Sequence, residues 1–133
     1  MTNIAKRFYA TAAIFALCGM SWGILMSATH DHTLSPAHGH LNLIGFVVMA
    51  VFGTFYALSP RAAASRLANI HYFLTLAAVL IILPGIAMAI SGTGESLAKA
   101  GSVLALAAMA YFVFMVFRFG VGTTPRTETG HLS

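Results

Sequence analysis

Long apolar segments separated by short polar connections dominate the hydropathy pattern of the chain. They run from about Phe8 to Ala28, His40 to Leu58, Leu67 to Ile90 and Leu97 to Phe119. Each is close to the roughly 20 apolar residues that a helix needs to cross a bilayer core, where every backbone polar group must be satisfied within its own segment. The pattern predicts an all-α integral membrane four-helix bundle over residues 1–119 and a flexible C-terminal tail over residues 120–133.

Composition supports a membrane protein and excludes two other classes. Hydrophobic residues make up 59% of the chain and charged residues only 8%, against about 25% charged residues in soluble domains. The 7 Lys and Arg residues are scattered along the chain and not clustered, which argues against a nucleic-acid-binding face. Cys18 is the only cysteine, so a disulfide framework is excluded.

The positive charges are distributed unevenly between the connections. All of the cationic residues except Lys99 flank the segments on one side: Lys6, Arg7, Arg61, Arg66, Arg118 and Arg126. The positive-inside rule then predicts that both termini are cytoplasmic. We therefore expect a multi-pass protein of a bacterial-type inner membrane, with the loop from Thr29 to Gly39 facing outward.

That loop holds most of the candidate chemistry. Four of the 6 histidines lie within residues 30–40, together with one carboxylate; they are His30, His32, His38 and His40, with Asp31 beside them. Neutral imidazole is the commonest protein ligand for metals, and a nearby carboxylate can fix its tautomer. The cluster predicts a haem or a copper or zinc site. The alternative is a polar loop whose histidines are merely solvated.

His40 differs from the other three histidines because it opens the second apolar segment. At a helix N-terminus the macrodipole favours the neutral imidazole that a metal ligand requires. An ionisable residue at the edge of a membrane span is also a candidate functional residue by default.

The segment that begins at His40 resembles a known family. The residues that carry the resemblance are His40-Leu41-Asn42-Leu43, Gly45 and Phe52-Gly53-Thr54-Phe55-Tyr56-Ala57-Leu58-Ser59-Pro60. They are similar to the second helix of the haem–copper oxidase catalytic subunit, especially the nitric-oxide reductase large subunit and the C-type oxidases. The resemblance implies that His40 is an axial ligand of a b-type haem. It also implies electron transfer, with a redox partner protein, or small-gas binding.

The resemblance does not extend to a complete catalytic centre. The family's catalytic subunit has many more helices than four, and its copper-centre histidines have no counterpart in the third and fourth segments. Whether the protein is an enzyme is therefore left open.

The second axial ligand is not fixed by the sequence. His71 should lie near the opposite membrane surface, as an interfacial residue beside Arg66 and Tyr72. The remaining candidates share a position near the outer surface: His30, His32, His38, Met26 and His40 of a neighbouring chain.

Small residues on the first segment allow a close approach by another group. Gly19 and Gly23 form a Gly-x-x-x-Gly pair, which suits a flat haem edge, packing within the bundle or a homo-oligomer. Trp22 suits the headgroup region, or contact with a haem edge.

Three classes of function remain. The first is a haem b protein, with His40, Gly19, Gly23, Trp22, Met26 and Gly45 as candidate binding residues. The second is an outward-facing copper or zinc protein. Haem propionates prefer cationic partners and the outer face offers only Lys99, which counts against the first class and for the second, although the haem protein remains the leading interpretation. The third is an assembly subunit without a cofactor.

Overall fold

A computed structural model describes residues 3–122 of the chain. Within this range the chain forms five helices, which are α1 (Asn3–Thr29), α2 (Ser35–Leu58), α3 (Pro60–Ala64), α4 (Arg66–Ile90) and α5 (Ser96–Phe119). All except α3 are long and apolar enough to cross a membrane. The predicted all-α membrane fold with four spans is confirmed. Most of the predicted tail, residues 123–133, lies outside the described residues.

The second span begins earlier than predicted. It starts at Ser35 instead of His40, with Pro36 in its first turn. Proline suits this position because its missing N–H would have no partner in the helix. His38 and His40 therefore lie on the first turns of α2, and the connection that was predicted to run to Gly39 contains only residues 30–34.

The turns after His40 are wound more widely than an α-helix. Leu41–Val48 forms a π-helical stretch within α2, and the α-helix resumes at Met49. Such stretches are rare and are often found at functional sites. Here the stretch presents Gly45 to α1, where a Cβ on Gly45 would lie 3.1 Å from Phe15 Cβ.

The helices pack as two close pairs, α1 with α2 and α4 with α5. Glycines allow α4 and α5 to approach each other backbone to backbone. A Cβ on Gly101 would lie 2.6 Å from Ile82 Cα, and one on Gly85 would lie 2.6 Å from the Ala98 nitrogen. In this pair the small residues serve packing within one chain.

Aromatic side chains fill the half of the bundle in which α1 begins and α2 ends. Phe8, Phe52, Tyr56, His71 and Met115 are all buried there. Large apolar side chains elsewhere on the spans face outward, including Ile24, Leu106 and Phe117, as expected for a surface solvated by lipid. We call the end of the bundle with residues 29–40 and 91–95 the histidine-rich end. The opposite end, with residues 3–7, 58–66 and 118–122, is the cationic end.

Candidate functional site

His40 has one engaged nitrogen and one free nitrogen. Its Nδ1 lies 2.7 Å from the Pro36 carbonyl oxygen, one turn earlier in α2. A carbonyl can only accept, so Nδ1–H donates and Nε2 keeps its lone pair. Nε2 has no hydrogen-bond partner within residues 3–122, and the ring is half-buried. This is the arrangement that a carbonyl-oriented imidazole ligand has in metal sites.

His38 is committed to the contact between α1 and α2. Its Nε2–H donates to the Gly19 carbonyl over 2.9 Å, and Asn42 Nδ2–H donates to the His38 carbonyl over 2.9 Å. Trp22 packs edge-on against the imidazole, with ring centroids 5.6 Å apart. His38 therefore joins the two helices through a nitrogen that is not free for a metal.

The connection before α2 is organised by its own hydrogen bonds. Asp31 Oδ1 accepts from Thr33 N–H over 3.0 Å and from the Thr33 hydroxyl over 2.6 Å. These bonds hold the pKa of Asp31 below its ordinary value. His30 and His32 are both exposed. Within residues 3–122 no three His, Cys, Asp or Glu side chains come close enough to hold a metal ion, so one chain does not gather the predicted copper or zinc ligands there.

The glycines predicted to receive a haem edge face side chains of α2. A Cβ on Gly19 would lie 2.5 Å from Asn42 Oδ1, and one on Gly23 would lie 3.2 Å from His38 Nε2. The space along α1 that was predicted for a haem edge thus holds Asn42 and His38.

A cleft at the histidine-rich end is a candidate space for a haem within a single chain. Trp22, Met26, Asp31 and Leu34 line this cleft, which has a volume of about 240 Å³. This is below the roughly 300–1,000 Å³ typical of pockets for small ligands. Met26 is only 7% exposed. This cleft is therefore too small for a haem, and His40 is not among its lining residues.

His71 lies inside the bundle and not at the membrane interface that the sequence predicts for it. It is 0% exposed, so the prediction of an interfacial residue is wrong. Its Nε2–H donates to the Ala108 carbonyl over 3.0 Å, which leaves Nδ1 to accept from the Tyr56 hydroxyl over 2.8 Å. The imidazole stacks on Tyr111, with centroids 5.0 Å apart. His71 thus links α2, α4 and α5 with both nitrogens used.

A pattern in the sequence could have indicated this link. Tyr56 and His71 are polar residues inside apolar segments, on either side of a short connection that reverses the chain. Such residues in spans face protein and find partners there.

Comparison of the chain with protein-family models, curated proteins and solved structures finds no match. The similarity of α2 to haem–copper oxidases therefore stays a prediction.

Proposed function

We propose that this protein binds haem b at the histidine-rich end, with His40 as an axial ligand, and that it transfers electrons or binds a small gas. The observation that carries the proposal is the single free nitrogen of His40, on a ring oriented by the Pro36 carbonyl. The resemblance of α2 to the oxidase helix supplies the cofactor class.

The surroundings of His40 suit an apolar macrocycle on the outside of the bundle. Leu43, Phe46 and Val47 follow His40 in α2 and are exposed to the lipid side, each by more than 40%. A haem against this face would cover apolar side chains without opening the contact between α1 and α2. When bound, the haem would supply a one-electron couple or a coordination position for a gas.

A second axial ligand and a redox partner would complete the site. His71 uses both nitrogens within the bundle and His38 uses Nε2, and Met26 is buried between helices. The candidates that remain for a second axial ligand are the exposed His30 and His32, His38 through Nδ1, or His40 of a second copy. A two-fold homo-oligomer would bring equivalent histidines together. Electron transfer would also need a redox partner protein.

The proposed membrane orientation follows from charge. The described cations of the cationic end are Lys6, Arg7, Arg61, Arg66 and Arg118. The positive-inside rule places this end in the cytoplasm and the histidine-rich end outside, in a bacterial-type inner membrane.

Visible spectroscopy of the detergent-purified protein, expressed with ample haem supply, tests the proposal. We expect a Soret band with α and β bands after dithionite reduction, and loss of these bands in His40→Ala. Gly39→Ala is the matched control, because a Cβ on Gly39 would meet nothing within 4 Å; it should keep the spectrum.

Metal analysis of the same samples separates the competing classes. Stoichiometric copper or zinc without a Soret band would overturn the haem proposal in favour of the metal site. An unchanged spectrum in His40→Ala would show that another residue holds the haem.

A further inference from the structure

A groove lies on the surface of the bundle near the cationic end, far from His40 along α2. It has a volume of about 710 Å³ and is lined by the first turns of α1, the last turns of α2 and the start of α3. Its lining includes Lys6, Tyr9, Ala10, Tyr56, Ala57 and Pro60. The volume is within the range of pockets that hold small ligands.

The groove is apolar apart from one cation. Thr54 Oγ1–H donates to the Ala50 carbonyl over 2.8 Å, so in the contact between Tyr9 and Thr54 the Tyr9 hydroxyl is the donor. The Tyr56 hydroxyl donates to His71. Both phenol protons are thus used within the bundle. Among the described side chains that line the groove, the Lys6 ammonium is the donor left for a ligand, beside walls of alanine, proline and aromatic carbon.

The charge around the groove has one sign. Lys6, Arg7 and Arg61 lie at the cationic end, whereas the carboxylates within residues 3–122, Asp31 and Glu95, both lie at the histidine-rich end. Lys6 therefore has no carboxylate partner in the described part of the chain. An occupant with a negative group at the membrane surface and an apolar body below it would match both features.

We propose that the groove binds a phospholipid with an anionic headgroup, whose phosphate contacts Lys6 and whose acyl chain lies against Ala10 and Ala57. A second copy of this chain is a poorer occupant, because joining two cationic ends would bring like charges together without a compensating acid among residues 3–122 of either copy. This site does not depend on the haem proposal.

Native mass spectrometry of the full chain can test the lipid site. The protein is exchanged into detergent with equal amounts of phosphatidylglycerol and phosphatidylcholine that carry the same acyl chains. We expect preferential retention of phosphatidylglycerol. Lys6→Gln should reduce that preference about fivefold, the factor that corresponds to about 1 kcal/mol for one lysine near an anionic surface.

Two further variants separate the charge from the groove. Lys99→Gln removes a cation that pairs with Glu95 at the other end and should leave the preference unchanged. Ala57→Phe fills the groove without changing charge and should reduce retention of both lipids. Equal retention of the two lipids by the wild type would overturn the proposal, as would a preference that survives Lys6→Gln or a lipid retention that Ala57→Phe leaves unchanged.

Discussion

The two ends of the bundle use histidine in opposite ways. In the aromatic half, His71 is fully buried and both of its nitrogens are hydrogen-bonded, to the Tyr56 hydroxyl and the Ala108 carbonyl. At the histidine-rich end, His40 is half-buried and only Nδ1 is bonded, to a carbonyl of its own helix. The same side chain thus joins three helices in one place and presents a free lone pair in the other.

This difference separates a structural histidine from a candidate ligand. In an apolar environment an unpaired polar atom is costly, so a buried imidazole with both nitrogens paired is explained by the fold alone. A half-buried imidazole with one fixed nitrogen and one free nitrogen is not explained in that way. Breaking each arrangement should therefore have different consequences for stability.

His71→Ala should have the largest effect on stability. It removes two hydrogen bonds and opens a cavity among Phe8, Phe52 and Tyr111, which contact the imidazole. We expect a loss of about 3 kcal/mol in the free energy of unfolding. His40→Ala should change it by less than about 1 kcal/mol, because only a bond within α2 is lost. Reversible unfolding in mixed detergent micelles measures both variants.

Tyr56→Phe is the graded control for this prediction. It removes one hydroxyl and leaves His71 Nδ1 without its donor, so we expect a loss of about 1 kcal/mol. Equal stability of His71→Ala and His40→Ala would contradict the assignment of His71 as the structural residue.

Two glycines allow the close contact between α4 and α5 to be compared with the open surface of the histidine-rich end. A Cβ on Gly101 would meet the backbone of Ile82, whereas a Cβ on Gly39 at the histidine-rich end would meet nothing within 4 Å. Gly101→Ala should therefore cost about 1–3 kcal/mol by forcing α4 and α5 apart. Gly39→Ala should be neutral, or stabilising by up to about 1 kcal/mol, because alanine favours a helix. The same unfolding measurement tests both variants. A neutral Gly101→Ala would show that α4 and α5 can move apart without a loss of stability.

The spans could be predicted from the sequence because lipid imposes a length and a composition that hydropathy displays directly. α4 and α5 begin within one residue of the predicted starts, Leu67 and Leu97, and end at the predicted Ile90 and Phe119. The start of α2 could not be placed in this way. The hydropathy pattern favours a loop at Ser35-Pro36, although proline also suits a first helical turn.

Contacts between helices are much harder to predict from the sequence than the spans are. Hydropathy does not show that His71 meets Tyr56 and Ala108, since the three residues lie on different helices. Nor does it show that Gly19 faces Asn42. Small residues along a helix suit a cofactor, another chain or a neighbouring helix equally well, and only the packing selects among them.

The smallest expected effect concerns the connection that leads into α2. Hydrogen bonds from Thr33 hold the pKa of Asp31 below its ordinary value. Because the folded carboxyl has the lower pKa, its contribution to stability is present above the unfolded pKa and is lost as pH falls through the folded one.

Thr33→Val keeps the side-chain shape and the backbone N–H but removes the hydroxyl, so the pKa of Asp31 should rise toward its ordinary value. A carboxyl ¹³C NMR titration measures it, with Thr93→Val in the connection between α4 and α5 as the control. The visible spectrum expected from the proposed haem site should not change in Thr33→Val, since this connection is organised by bonds of its own and His40 by the Pro36 carbonyl. An unchanged pKa in Thr33→Val would instead assign the shift to the backbone N–H of Thr33.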